Sequence, residues 1–218
     1  MRPQLVIVDL IGPLVEDDGV LARALAETTI AFGRDVTPQQ AARSLLRADP
    51  APLLRRWLGA TLSAPALERY NERAAHLIEC EPCVRPARGA DRAMDRLHRA
   101  SIPLAIDAGL GRAALNAALL RFGWCAHPVV QATVAFGETL DPRPDADTLV
   151  RAMLLCGLGD PAAVARVATS LPPIRQAVAA GCGWVVRTGQ MRSRRSVAYQ
   201  RTEDLEAAVD LLLAGDAP

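Results

Sequence analysis

Short aliphatic runs recur along the chain, and stretches with helical spacing separate them. Five runs are predicted as strands: 4–9, 102–107, 128–134, 163–170 and 183–189. Their apolar residues are consecutive rather than alternate, which is typical of parallel strands covered on both faces. Helical spacing that ends at glycine predicts helices over 111–123, 144–159, 173–181 and 203–215. The pattern therefore predicts an α/β fold with a parallel sheet.

The interval between the first two strands shows only helical patterns. We expect residues 15–85 to form an all-α cap inserted after the first strand. Residues 1–14 and 86–218 would then form the core. In such sheets ligands bind in the crevice beyond the carboxyl ends of the strands, so the cap is expected to cover that crevice.

Composition excludes several classes of function. The chain has 218 residues, half of them hydrophobic, and a net charge of +1, without the basic block of a nucleic-acid-binding protein. No apolar run reaches the roughly 18 residues of a membrane span, and no signal-peptide pattern opens the chain. We therefore expect a cytoplasmic protein that acts on a small-molecule substrate, with no nucleic-acid or membrane partner, and a homodimer as one option. The chain has no lysine, which excludes a Schiff base on its own side chains.

Two carboxylates mark the predicted crevice. Asp9 ends the first strand and Asp107 ends the second, so both are candidate catalytic residues. Neighbouring carboxylates in a partly dry site have their pKa values pushed apart, and one can then act as acid and the other as base. The structural alternatives are that main-chain N–H groups bind Asp9 and that Asp107 caps a helix or braces a turn.

Three further positions are candidates for binding an anionic substrate. Arg143 lies directly before the predicted helix 144–159, and Gly109 and Arg112 flank the start of the helix that follows the second strand, where anions can bind. The alternative for Arg143 is an ion pair with a neighbouring aspartate. The role of the Cys80–Cys83 pair stays open, and no metal site is predicted there.

The motifs resemble those of the haloacid dehalogenase superfamily, and most of all its phosphonatase-like hydrolases with a helical cap. The resemblance is carried by "LVIVDLIGPLVEDDG", "VRPARGADRAMDRLHRASIPLAIDAGLGR", "PRPDADTLVRAMLLCGLGDPAAVARV" and "AAGCGWVV". It implies a Rossmann-like sheet core with an all-α cap. It also implies that Asp9 matches a nucleophile and magnesium ligand, and that Arg143 matches the cation of the third motif.

Other positions depart from the pattern of that superfamily. Ile11 and Pro13 replace an acid–base residue and a threonine in the first motif, and Ala108 replaces a hydroxyl residue in the second. Ala168-Thr169 and Pro173 stand where the fourth motif has carboxylates. One carboxylate of the usual magnesium set then remains, so we expect the magnesium site to be lost and no cofactor to be used. Arg143 would be the one cation left at the site.

These departures predict a diverged protein that has lost magnesium-dependent phosphohydrolase chemistry. The leading hypothesis is metal-independent acid–base or Asp-nucleophile chemistry on a small metabolite, of the isomerase, cyclase, dehydratase or lyase type. Phosphonatase chemistry through an imine is excluded because it needs a lysine. The alternatives are a non-catalytic module that binds a ligand or partner, and a weak phosphatase. Ile11 and Pro13 are also expected to dry the surroundings of Asp9 and to raise its pKa.

Overall fold

The computed structural model describes residues 1–138, 147–189 and 198–215. Its strands are β1 Leu5–Asp9, β2 Val15–Glu16, β3 Arg85–Pro86, β4 Leu104–Asp107, β5 Val130–Val134, β6 Val164–Ala168, β7 Trp184–Thr188 and β8 Gln200–Thr202. Its helices are α1 Val20–Ala31, α2 Pro38–Leu45, α3 Pro50–Leu58, α4 Ala60–Cys80, α5 Ala90–Arg99, α6 Arg112–Arg121, α7 Asp147–Leu155, α8 Leu171–Ala180 and α9 Leu205–Ala214. Within these described ranges, no helix is long and apolar enough to cross a membrane.

The main sheet is parallel and has the strand order β5-β4-β1-β6-β7-β8. The predicted α/β class is therefore confirmed, and each of the five predicted strands has its counterpart. The edge strand β8 was not predicted, because its sequence Gln-Arg-Thr lacks the apolar run of a buried strand. The interval predicted to be purely helical also contains β2 and β3, which pair in antiparallel fashion.

Helices cover both faces of the sheet, which explains the apolar strands. The side chains of Leu5 and Ile7 pack with α7 on one face. Val6 and Val8 point to the opposite face and belong to the large core that α5, α6 and α9 share with the cap. Because side chains alternate along a strand, this division also fixes the face on which Asp9 lies, which is that of α7.

The helices α1 to α4 lie between β2 and β3, where the cap was predicted. The small β2–β3 sheet joins this unit to the core at both ends, with Val15 opposite Pro86. Local signals account for the helix starts; for example, Thr37 accepts from the main-chain N–H of Gln40 in a capping box that opens α2. The boundaries of 15–85 for the cap stay a prediction.

Polar contacts join this helical unit to the core around the sheet's carboxyl edge. Asn71 on α4 accepts from the Gly111 N–H at 3.1 Å, at the start of α6. The carbonyl of Leu46, just after α2, accepts from the Leu171 N–H at 3.2 Å, at the start of α8. The helical unit thus lies against two helix N-termini that border the strand ends.

Candidate active site

Asp9 and Asp107 lie side by side at the carboxyl edge of the sheet. They are register partners at the ends of the neighbouring strands β1 and β4. After β1 the chain proceeds through β4 to β5 on one side of the sheet, and the later strands β6 to β8 extend the other side. The Asp9 end of β1 is thus the point where the strand order reverses, which is the usual ligand position in this architecture.

A buried arginine joins the two carboxylates. Arg166 lies in the middle of β6, opposite Ile7 of β1, and only 1% of its surface is exposed. Its Nη2 donates to Oδ2 of Asp107 at 2.8 Å and also to Oδ1 of Asp9. One nitrogen therefore bridges both acids. The bound oxygens of Asp9 and Asp107 are each within one hydrogen bond of that nitrogen, so the two carboxylates lie close together.

The Asp9–Arg166–Asp107 cluster contains one guanidinium and two carboxyl groups that can ionise. Burial raises the pKa of the Asp9 carboxyl from 3.8 to about 8; Arg166 opposes this shift, and Asp107 and Asp49 add to it. A single guanidinium cannot neutralise two carboxylates in a poorly solvated place, so keeping one proton is favourable. The predicted direction of the pKa shift at Asp9 is confirmed, and the part that Ile11 and Pro13 play in it stays a prediction.

Asp9 is the member of this cluster that reaches solvent. Its side chain is 16% exposed, against 6% for Asp107 and 2% for Arg166. Since Oδ1 of Asp9 accepts from Arg166, Oδ2 is the oxygen left to carry the proton. The arrangement can therefore present one protonated carboxyl at the crevice, above a buried ion pair.

The loop after β1 packs tightly on the loop after β6. Gly12 has φ of +100°, and a Cβ built there would lie 2.2 Å from Oγ1 of Thr169. That hydroxyl is 2.9 Å from the hydroxyl of Thr188 at the end of β7. Gly12 is thus needed for its left-handed backbone and for the close approach, and Thr169 belongs to this packing contact.

Gly109 and Arg112 have partners of their own. The Gly109 N–H donates to Oδ1 of Asp107 at 3.3 Å, so Asp107 does brace its turn in addition to binding Arg166. Arg112 forms an ion pair with Glu138 and donates to Oγ1 of Thr133 at 2.9 Å. It also lines a cavity of about 440 Å³ between α4 and α6, together with Asn71. Their predicted substrate-binding roles stay predictions.

Arg143 lies outside the described residues, so its position at the site stays a prediction. The expectation that it is the one cation left there is wrong, because Arg166 contributes a buried guanidinium. The alternative in which main-chain N–H groups hold Asp9 is not what the described residues show, since a side chain binds it. The sequence did contain a signal that Arg166 belongs to the site. It is a charged residue inside an otherwise apolar strand that is covered on both faces, and a buried charge of this kind requires a partner of opposite charge.

No family model matches the chain, and no curated protein matches it by sequence. Solved structures do match it. CbbY from Rhodobacter sphaeroides in complex with phosphate is 19% identical, with a TM-score of 0.77 over 94% of this chain and 95% of that one. A putative phosphoglycolate phosphatase from Lactobacillus plantarum is 15% identical, with a TM-score of 0.78 over 97% and 100%. A phosphonoacetaldehyde hydrolase-like protein from Oleispira antarctica is 18% identical, with a TM-score of 0.74 over 100% and 96%.

These similarities correct the prediction that the chain uses no cofactor. Phosphatases and phosphomutases of this fold typically use Mg²⁺, so a lost magnesium site does not follow from the motifs. As they stand, the described side chains do not fit a bound Mg²⁺, because Nη2 of Arg166 lies between the oxygens of Asp9 and Asp107. No group of three or more metal-ligating side chains occurs within 1–138, 147–189 and 198–215.

The architecture and the comparisons agree on the fold. A parallel six-stranded sheet has helices on both faces, and a helical unit between β1 and β4 lies against its carboxyl edge. Structures of a hydrolase superfamily match this arrangement over nearly the whole chain. The chain therefore has the haloacid dehalogenase-like fold, with a Rossmann-like core and a helical cap.

Proposed function

We propose that this protein catalyses proton transfer on a small metabolite, with Asp9 as the acid or base. The single observation that carries the proposal is the position of Asp9, which is partly exposed at the strand ends and is bridged to Asp107 by buried Arg166. Burial there raises the pKa of the Asp9 carboxyl to about 8. A general acid or base works best when its pKa lies near the working pH, and an ordinary aspartate is far from that range. Isomerisation, dehydration, cyclisation and lyase reactions all need such a group.

The other two members of the cluster act on Asp9 rather than on the substrate. Asp107 is nearly buried and is held by Arg166 at 2.8 Å and by the Gly109 N–H at 3.3 Å. It therefore serves as the fixed counter-charge of the guanidinium. Arg166 orients Asp9 through Oδ1 and limits the charge that builds up when Asp9 releases its proton. Both are positioning residues in this proposal.

Substrate binding is assigned to the edge where cap and core meet. Gly109 and Arg112 flank the start of α6, and Arg143 is the predicted further cation. The cavity between α4 and α6 has a volume of about 440 Å³ and offers Asn71 and Arg112 beside two acidic residues, Glu68 and Glu72. Its volume suits a small metabolite, and Asp9 and Asp107 are not among the residues that line it.

A direct test is hydrogen exchange into candidate substrates. A panel of small keto, hydroxy and amino acids is incubated with the protein in D₂O, and loss of carbon-bound hydrogen is followed by proton NMR. Exchange by the wild type that disappears in Asp9→Asn supports the proposal. Asp210→Asn is the matched control, since that carboxylate is exposed on α9 and pairs with Arg96.

The same samples separate this proposal from hydrolysis of phosphate esters. Release of phosphate from p-nitrophenyl phosphate is measured with Mg²⁺ and with EDTA. Magnesium-dependent release that requires Asp9 would overturn the acid–base proposal and would favour a phosphohydrolase, as the names of the similar structures suggest.

A non-catalytic role is the second candidate, and a specific observation favours it. The carboxyl that stands at the nucleophile's position is bound by Arg166 and is only 16% exposed. A module that only binds a ligand or partner does not need an Asp9 carboxylate that is free to attack a substrate. Absence of both exchange and phosphate release, in a protein that remains folded, would favour this candidate.

A further inference from the structure

The Arg166 guanidinium lies where two carboxylates converge. Asp9 and Asp107 are register partners on neighbouring parallel strands, so their side chains leave the same edge on the same face. Both direct an oxygen at the same nitrogen, Nη2 of Arg166. A single cation at this position can therefore bind both acids at once.

Paired carboxylate oxygens are also the ligands that hard divalent cations prefer. Mg²⁺ takes one or two carboxylates and completes its shell with water or substrate oxygens. The guanidinium and a divalent ion would both need oxygens of the same two carboxylates, Asp9 and Asp107. They also repel one another, so both cannot occupy the pair together.

The guanidinium is attached to its surroundings mainly through these acids. Nε and Nη1 of Arg166 are buried and have no hydrogen-bond partner among the described residues. Its hydrogen bonds to Asp9 and Asp107 both come from Nη2. An ion that took the two carboxylates would thus break the polar contacts that fix the guanidinium in place.

We propose that the Arg166 guanidinium and a divalent cation are alternative occupants of the Asp9–Asp107 pair. Arg166 then lowers the divalent-ion affinity of the pair, because the guanidinium and an ion compete for the same two carboxylates. This inference goes beyond the proposed function, because it concerns an equilibrium of binding and holds whether or not the protein is catalytic.

Arg166→Met tests the competition, because methionine fills part of the same space without charge. Mn²⁺ binding is measured by electron paramagnetic resonance, and Mg²⁺ binding by calorimetry. We expect the variant to bind each ion at least about tenfold more tightly than the wild type, since binding no longer displaces a cation. Adding Asp9→Asn to the variant should remove the gain, because one of the two acids is lost.

The matched control is Arg187→Met. Arg187 is another buried arginine, one strand further on β7, and its Nε donates to the Thr169 carbonyl at 2.9 Å. Its substitution should leave ion affinity within about twofold of the wild type. Equal affinity of the wild type and Arg166→Met, including no binding by either, overturns the proposal. So does a gain that survives Asp9→Asn.

Two further measurements test the proposal even if Arg166→Met folds poorly. Arg166→Gln keeps a neutral donor and should show a gain of the same direction. Millimolar Mg²⁺ should also raise the melting temperature of Arg166→Met more than that of the wild type, since the ion restores a counter-charge to the two acids. Folded Arg166→Gln with wild-type affinity, and no selective thermal stabilisation by Mg²⁺, would refute the competition.

Discussion

Asp9 makes the stability of this fold depend on pH. The pKa of its carboxyl is about 8 in the folded protein and 3.8 at its ordinary value, so between these limits the folded state holds a proton that the unfolded chain has released. Stability falls with rising pH wherever the folded state binds more protons. The contribution of Asp9 is therefore fully present below about pH 4 and is lost as the pH rises through about 8.

The size of the effect follows from one proton. A shift of one pKa unit corresponds to about 1.4 kcal/mol, so Asp9 lowers the free energy of unfolding by at most about 1.4 kcal/mol per pH unit. Between pH 5 and pH 7 this amounts to about 3 kcal/mol. Asp9→Asn stays neutral over the whole range and still offers Arg166 an oxygen, so this slope should vanish.

Urea denaturation at intervals from pH 5 to pH 9 gives the slope directly. We expect the free energy of unfolding of the wild type to fall relative to that of Asp9→Asn as the pH rises. Asp210→Asn is the control, because that carboxylate is 62% exposed and should leave the wild-type slope unchanged. Parallel curves for Asp9→Asn and the wild type would refute the idea that burial keeps Asp9 protonated.

Three further changes should affect stability in predictable ways. Arg166→Met should cost about 3–5 kcal/mol at pH 8, because it leaves two carboxyls buried without a cation, and less at pH 5; urea curves at the two pH values would show this. Gly12→Ala should lower the melting temperature more than Gly137→Ala, because the new methyl group meets Thr169, whereas Gly137 has no atom within 4 Å of its Cβ position; equal losses would contradict the packing argument. Thr37→Ala should cost about 1 kcal/mol in urea, through loss of the α2 capping box, and Thr37→Ser should restore most of it.

The pattern of apolar runs was sufficient to predict the α/β class and five of the six strands of the main sheet. β1, β4, β6 and β7 are buried on both faces, so burial leaves a continuous signal in the sequence. The edge strand β8 pairs only with β7 among the described strands, and its three residues are partly exposed. Polar residues suit a partly exposed strand as well as apolar residues do. Short edge strands of this kind have no distinctive pattern to predict.

The candidate site was predicted in part. Asp9 and Asp107 were placed together because the ends of neighbouring parallel strands share one edge, a rule that needs no side-chain detail. Arg166 was missed because it does not lie at a strand end. Its side chain starts in the middle of β6, opposite Ile7, and reaches the edge only through its length. The position of a residue along a strand is therefore not sufficient to predict where the end of a long side chain lies.

The bridge between Asp9, Arg166 and Asp107 also limits how this sequence can change over generations. Loss of Arg166 leaves two acids buried without a cation, and loss of Asp107 removes the counter-charge of a buried guanidinium, so either single step is costly. A route that removes two or three of these residues together avoids those costly intermediates. Substitutions at the three positions should therefore be strongly epistatic, with the double change Arg166→Met plus Asp107→Asn less harmful than the two single effects added together.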